Sequence, residues 1–210
     1  MNVVQPIRDT ELLEKCFDIA REHDRKRVKG EVCWELILLV GFNTSLRVSD
    51  FRRFRVSDLR GRDHAIMRAK KTGKEARVLM SPRVRREINR LLAGRKPDEY
   101  IFQSKQKSSV THKHEPITRQ RVYQIINTVA KQAGIQDRIG CHTLRKTFGY
   151  HYYQQTGDIV SLQRILCHSF QRETLVYIGV VDANIDASLM KFALTGGRNN
   201  GKKGDDTEDA

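Results

Sequence analysis

Six positions combine residue types that can hold an anion and move a proton: Arg47, a lysine of the basic stretch Lys70-Lys71-Thr72-Gly73-Lys74, His142, Arg145, His168 and Tyr177. A guanidinium keeps its charge at any physiological pH, and its planar fork of donors matches phosphate oxygens. His142 and Arg145 are three residues apart, so on a helix they share a face and can address one anion together. The competing reading of such a pair is a solvated polar face. The whole chain favours an anionic partner, because 39 Lys and Arg against 25 Asp and Glu leave a formal charge of +14 over 210 residues. Nucleic acid leads, and a membrane surface is the rival. The longest apolar run, Leu36-Ile37-Leu38-Leu39-Val40, falls far short of the roughly 20 residues needed to cross a bilayer, so no membrane partner is expected.

These side chains need a scaffold, and the apolar spacing predicts a mainly α domain with a small antiparallel β-hairpin sheet, an α+β fold. Helices are expected at residues 10–20, through the apolar segment after Trp34, briefly near Ser49, and from Ser81-Pro82 toward Gly94. Asn43-Thr44-Ser45 ends the second of these. Strands at residues 65–69 and 77–80 flank the lysine-rich turn, where Gly73 can take a positive φ. Residues 104–115 are polar and basic and read as a mobile surface loop, in which His112 and His114 are solvated. Helical periodicity returns at 117–133, 142–155, 158–166, around Tyr177 and at 182–192. The folded domain is expected to span residues 1–195, and residues 196–210 to form a disordered charged tail too poor in apolar groups to offset its ordering entropy. Nine residues separate His168 from Tyr177, so at 100° per residue a continuous helix would put them on opposite sides. The chain must break between them, with Ser169 as a cap for the new helix.

Cys16, Cys33, Cys141 and Cys167 form no CxxC pair, which points to reduced, buried thiols rather than zinc or disulfides. Residues 1–6 lack the order of a secretory signal, and a cytoplasmic location is expected. Tyr150, Tyr152 and Tyr153 read as core or interface residues, and His151 is given no role.

Thr44-Ser45-Leu46-Arg47-Val48-Ser49-Asp50, His142-Thr143-Leu144-Arg145, Leu166-Cys167-His168-Ser169 and the Tyr177 that follows resemble the tyrosine recombinase (phage integrase) family, over residues 9–193 and in the family's order. The resemblance implies the family's catalytic-domain fold and a site-specific recombinase or integrase of a mobile element. Tyr177 would become joined to a 3′ phosphate while a 5′ hydroxyl leaves, and the hydroxyl of another strand would reverse the step. A phenol of pKa about 10 needs help to ionise, and the phosphorane charge needs stabilising. Arg47 and Arg145 would do the latter, and losing either would cost on the order of 100-fold to 1000-fold. Lys71 aligns with the general acid for the leaving oxygen, with Lys70 the alternative. His142 would handle the tyrosine proton and His168 would donate to a nonbridging oxygen.

The resemblance implies no metal or other cofactor, and the bond energy kept in the phosphotyrosyl link removes the need for a nucleotide. Double-stranded DNA is the implied partner, bound by a homo-tetramer on synapsed sites. Arg68, Lys74, Lys105, Lys107, Lys113, Arg119 and Arg121 are further candidates for phosphate contacts, and Asp50 for supporting a basic neighbour. Cys167 and Ser45 stand where the family favours glycine. Arg47 arrives too early for the usual N-terminal core-binding domain, so the expectation is weaker, more salt-sensitive DNA binding, a partner protein that supplies that function, or a chain that is one part of a longer product. The alternatives are a noncatalytic DNA-binding accessory module of the same fold and a type IB topoisomerase-like enzyme. A helix-turn-helix regulator would leave the tyrosine unexplained.

Overall fold

The computed structural model describes residues 4–28, 31–68, 75–107, 109–110 and 114–179. Helix α1 (Thr10–Arg25) starts where the Asp9 carboxylate accepts from the amides of Glu11 and Leu12, at 2.7 and 3.3 Å. It runs past the predicted end at residue 20 because its last turn has a structural task. Asp24 accepts from the Cys33 thiol and the amides of Trp34 and Glu35, capping the next helix, α2 (Trp34–Asn43). Helix α2 is apolar on nearly every side and is accordingly buried, with α1, α5 (Pro82–Leu91) and α7 (Cys141–Thr156) packed around it. Its one buried charge, Glu35, pairs with Arg21 at 3.1 Å and Arg90 at 3.0 Å.

After α2 come two short helices, α3 (Val48–Phe51) and α4 (Val56–Leu59). The short helix expected near Ser49 begins one residue earlier, at Val48, and Arg47 at its N-cap position makes no side-chain cap. Strands β1 (His64–Arg68) and β2 (Glu75–Leu79) pair antiparallel, with Ala65 opposite Val78. The lysine-rich turn between them, including Lys70, Lys71 and Lys74, lies outside the described residues. Ser81 caps α5 and Pro82 opens it, as the sequence predicts.

The expected loop at 104–115 is corrected. Strands β3 (Gln103–Lys107) and β4 (His114–Pro116) form a second antiparallel hairpin, with an irregularity in register. Its composition shows no alternation because neither face is buried. The anchors lie at its base, where Ile101, Phe102 and Ile117 are buried and the Ile117 amide donates to the Phe102 carbonyl at 2.8 Å. His114 is not simply solvated: its Nδ1 lies 2.8 Å from the Ser104 carbonyl across this hairpin. Lys105 pairs with Glu31 at 2.6 Å.

Helix α6 (Arg119–Ala133) is capped by Thr118 and closed by Gly134, α8 (Ile159–Leu166) is capped by Asp158, and α9 (Gln171–Ile178) is closed by Gly179. Among the described residues the fold is mainly α with two small antiparallel sheets. Phe51, Phe102, Leu36, Ile88, Ile125 and Leu144 lie in its core. The expected helix at 182–192 and the tail at 196–210 lie outside the described residues. Of the cysteines, Cys16 and Cys33 are buried, which pushes their thiols up to about 11 and about 12. Cys141 is half-buried and Cys167 exposed, against the expectation of four buried thiols.

Candidate active site

Arg145 organises the site. It projects from the second turn of α7, is 6% exposed, and donates from one guanidinium nitrogen to the Ser45 carbonyl and from the other to the Leu166 carbonyl, the latter at 2.6 Å. Ser45 lies two residues before Arg47, and Leu166 two before His168. One buried cation thus fastens three distant stretches of chain at a single place. Burial is the main cause holding the Arg145 guanidinium below its ordinary pKa, and the phenol of Tyr177 opposes it.

His168 reaches the site through a tight turn. Cys167 ends α8 in the left-handed region, at φ 51° and ψ 41°, and is the one non-glycine with positive φ among the described residues. This conformation costs an L-residue with a Cβ about 1–2 kcal/mol, which accounts for the glycine that the motif favours there. Gln163 Nε2 donates to the carbonyls of His168 and Ser169 at 3.1 and 3.0 Å, holding the turn. The cap of α9 is Phe170 rather than Ser169. The Ser169 amide donates to Glu173 at 3.1 Å, so the carboxylate reaches one residue further back than a capping box would. The predicted break between His168 and Tyr177 is present, and their rings meet edge to face with centroids 5.0 Å apart.

The Tyr177 hydroxyl lies 3.4 Å from His142 Nδ1. Burial raises the phenol pKa, while the Arg145 and Arg47 guanidinium groups pull it down. His142 sits in the first turn of α7 and is held below its ordinary value by burial, then by the charges of Arg119, Arg145, Arg47 and Lys146. His168 is lowered too, chiefly by burial, with Glu173 acting against the two arginines. Arg47 is exposed, and its charge is felt at His142, Arg145, His168 and Tyr177. The structure therefore gathers Arg47, His142, Arg145, His168 and Tyr177. Lys71 and its alternative Lys70 lie outside the described residues. Asp50 accepts from the Ser49 hydroxyl at 3.4 Å, and no Arg47–Asp50 ion pair is present among the described residues.

Sequence reasoning missed two neighbours. Lys146 is buried with its ammonium 5.2 Å from the Tyr177 ring centroid, and Thr174, also buried, places its hydroxyl 3.1 Å from His168 Nδ1. Their spacing offered a weak signal: Lys146 follows Arg145, and Thr174 precedes Tyr177 by one helical turn. Among the described residues no three His, Cys, Asp or Glu side chains gather as a metal site, and no helix is long and apolar enough to cross a membrane.

Residues 13–183 match the sequence profile of the Phage integrase family. The chain belongs to that family. It is 34% identical to the probable integrase/recombinase YoeC of Bacillus subtilis over 192 residues, covering 91% of this chain and 98% of that protein. It is 30% identical to a tyrosine recombinase of Pseudothermotoga lettingae and 27% identical to the tyrosine recombinase XerC of Staphylococcus saprophyticus, spanning 54% and 51% of their lengths. It thus spans about half the length of such relatives. Among solved structures, XerA recombinase superposes with a TM-score of 0.65 at 21% identity, over 89% of this chain and 65% of that one. The catalytic domain of bacteriophage HP1 integrase gives 0.53 at 20% identity, over 90% and 95%. The fold is that of this family's catalytic domains.

Proposed function

We propose that this phage integrase family member is a site-specific recombinase that cuts and rejoins double-stranded DNA through a 3′-phosphotyrosyl link to Tyr177. The observation that carries this reading is the phenol oxygen 3.4 Å from His142, whose pKa burial lowers, beside a buried guanidinium bound to backbone carbonyls two residues before Arg47 and His168. His142 accepts the phenolic proton as the oxygen attacks phosphorus. Arg47 and Arg145 stabilise the phosphorane charge, and His168 donates to a nonbridging oxygen. The departing 5′ oxygen takes its proton from Lys71, or from Lys70. A 5′ hydroxyl of the partner strand then attacks the phosphotyrosine, Tyr177 leaves, and the proton returns by the same route.

Residues 1–195 make up the catalytic domain in this reading, with a charged tail at 196–210. In this reading the protein acts in the cytoplasm, as a homo-tetramer on synapsed sites. DNA-bound structures of related fold support the choice of partner: XerH recombinase with its palindromic difH substrate superposes with a TM-score of 0.65.

The test is a nicked suicide duplex carrying a site selected by binding from a random pool. The wild-type protein should form a covalent adduct that survives denaturation, and Tyr177→Phe should form none. An equal yield in the variant removes Tyr177 from the mechanism. Tight binding without an adduct identifies a noncatalytic module, and sequence-independent plasmid relaxation by a monomer identifies a topoisomerase-like enzyme.

A further inference from the structure

Thr174 is fully buried on α9, and its hydroxyl lies 3.1 Å from His168 Nδ1. Which of the two donates follows from what else the hydroxyl can reach. A buried hydroxyl left without an acceptor costs about 1–3 kcal/mol. A helical threonine can turn its proton to the carbonyl four residues back, as Thr156 does to Tyr152 at 2.8 Å, but no such contact is present for Thr174 among the described residues. Among the described residues the imidazole is the partner recorded for the hydroxyl. The Thr174 O–H therefore donates to Nδ1, and the neutral ring carries its own proton on Nε2.

We propose that Thr174 is a positioning residue that fixes His168 as the Nε2–H tautomer, so that the imidazole presents a donor to the nonbridging phosphate oxygen. The inference rests on the recombinase reading and adds to it the device that makes His168 a donor rather than an acceptor. Three further observations support it. Nε2 has no recorded partner among the described residues, which leaves it for the substrate. Burial, with the Arg145 and Arg47 charges and against that of Glu173, favours the neutral ring, the one form in which tautomer choice matters. Thr174 also lies one turn before Tyr177, so the contact sets the imidazole against the helix that carries the nucleophile.

The test compares wild type, Thr174→Val and Thr174→Ser. Valine keeps the branched shape and removes the hydroxyl, whereas serine keeps the hydroxyl. Nitrogen NMR of labelled histidine rings, recorded on the free protein above the His168 titration, should show protonated Nε2 and bare Nδ1 in wild type. Thr174→Val should show a tautomer mixture and Thr174→Ser the wild-type pattern. Single-turnover adduct formation should fall about 10-fold in Thr174→Val at unchanged duplex affinity, the low end for a lost supporting partner, and recover in Thr174→Ser. The same change in a His168→Phe background should have no further effect.

A proton on Nδ1 in wild type, or a Thr174→Val spectrum identical to wild type, overturns the inference even if the protein cleaves DNA. The expected spectra from a protein that forms no adduct would instead overturn the recombinase reading and leave the tautomer assignment standing.

Discussion

At the residue scale, the surroundings of His142 decide when it can take a proton. Burial is the first cause that lowers its pKa, and Arg119 is the first of the charges that add to it. A lowered value keeps the imidazole neutral and accepting below pH 6.5, and that capacity is lost as pH falls through the lowered value. Replacing Arg119 by Gln removes one cation, so the His142 pKa should rise toward the ordinary imidazole value. NMR titration of the free protein reads this directly, and an unchanged or lower value would refute the electrostatic account. The gathering of Arg47, His142, Arg145, His168 and Tyr177 was expected from the order of the motifs that carry them, since each residue type alone is a weak signal. Thr174 and Lys146 were not legible, since a threonine or a lysine on a helix acquires meaning only from what packs against it.

Elements place those residues, and the approach of α9 to α7 illustrates how little room they have. A Cβ added at Gly149 would come within 2.8 Å of Ile178 Cγ2, next in sequence to Tyr177. Alanine in a helix gains about 1 kcal/mol over glycine. Overpacking a closed core costs about 1–3 kcal/mol, and Ile178 is fully buried with a stiff branched side chain, so the clash should win. Gly149→Ala is expected to lose about 1 kcal/mol in denaturant unfolding, and to lower adduct formation under conditions where it is fully folded. A more stable variant would contradict this. Most helices were readable from apolar periodicity, and the start of α5 from Ser81-Pro82. The β3–β4 hairpin was not, because a sheet with two wet faces leaves no alternation to read. Helix α4 is too short to show a period.

For the whole molecule, the excess of positive charge governs how it meets a polyanion. If about 6 phosphates are neutralised, the logarithm of duplex affinity should fall with the logarithm of salt concentration at a slope of about −5. Fluorescence anisotropy with a labelled duplex measures it, and a slope near zero would rule out a backbone-dominated interface. Charge was legible from composition alone, whereas the way separate stretches converge was not, because the tie between them is made by main-chain oxygens that no side-chain pattern encodes. That tie has its own implication. The Arg145 fork is moored to the Ser45 and Leu166 carbonyls before any ligand arrives, so it needs no rearrangement to receive one. Mooring also means that loosening either strap would cast off the charge and undo the pocket in a single event, making loss of shape and loss of reactivity coincide.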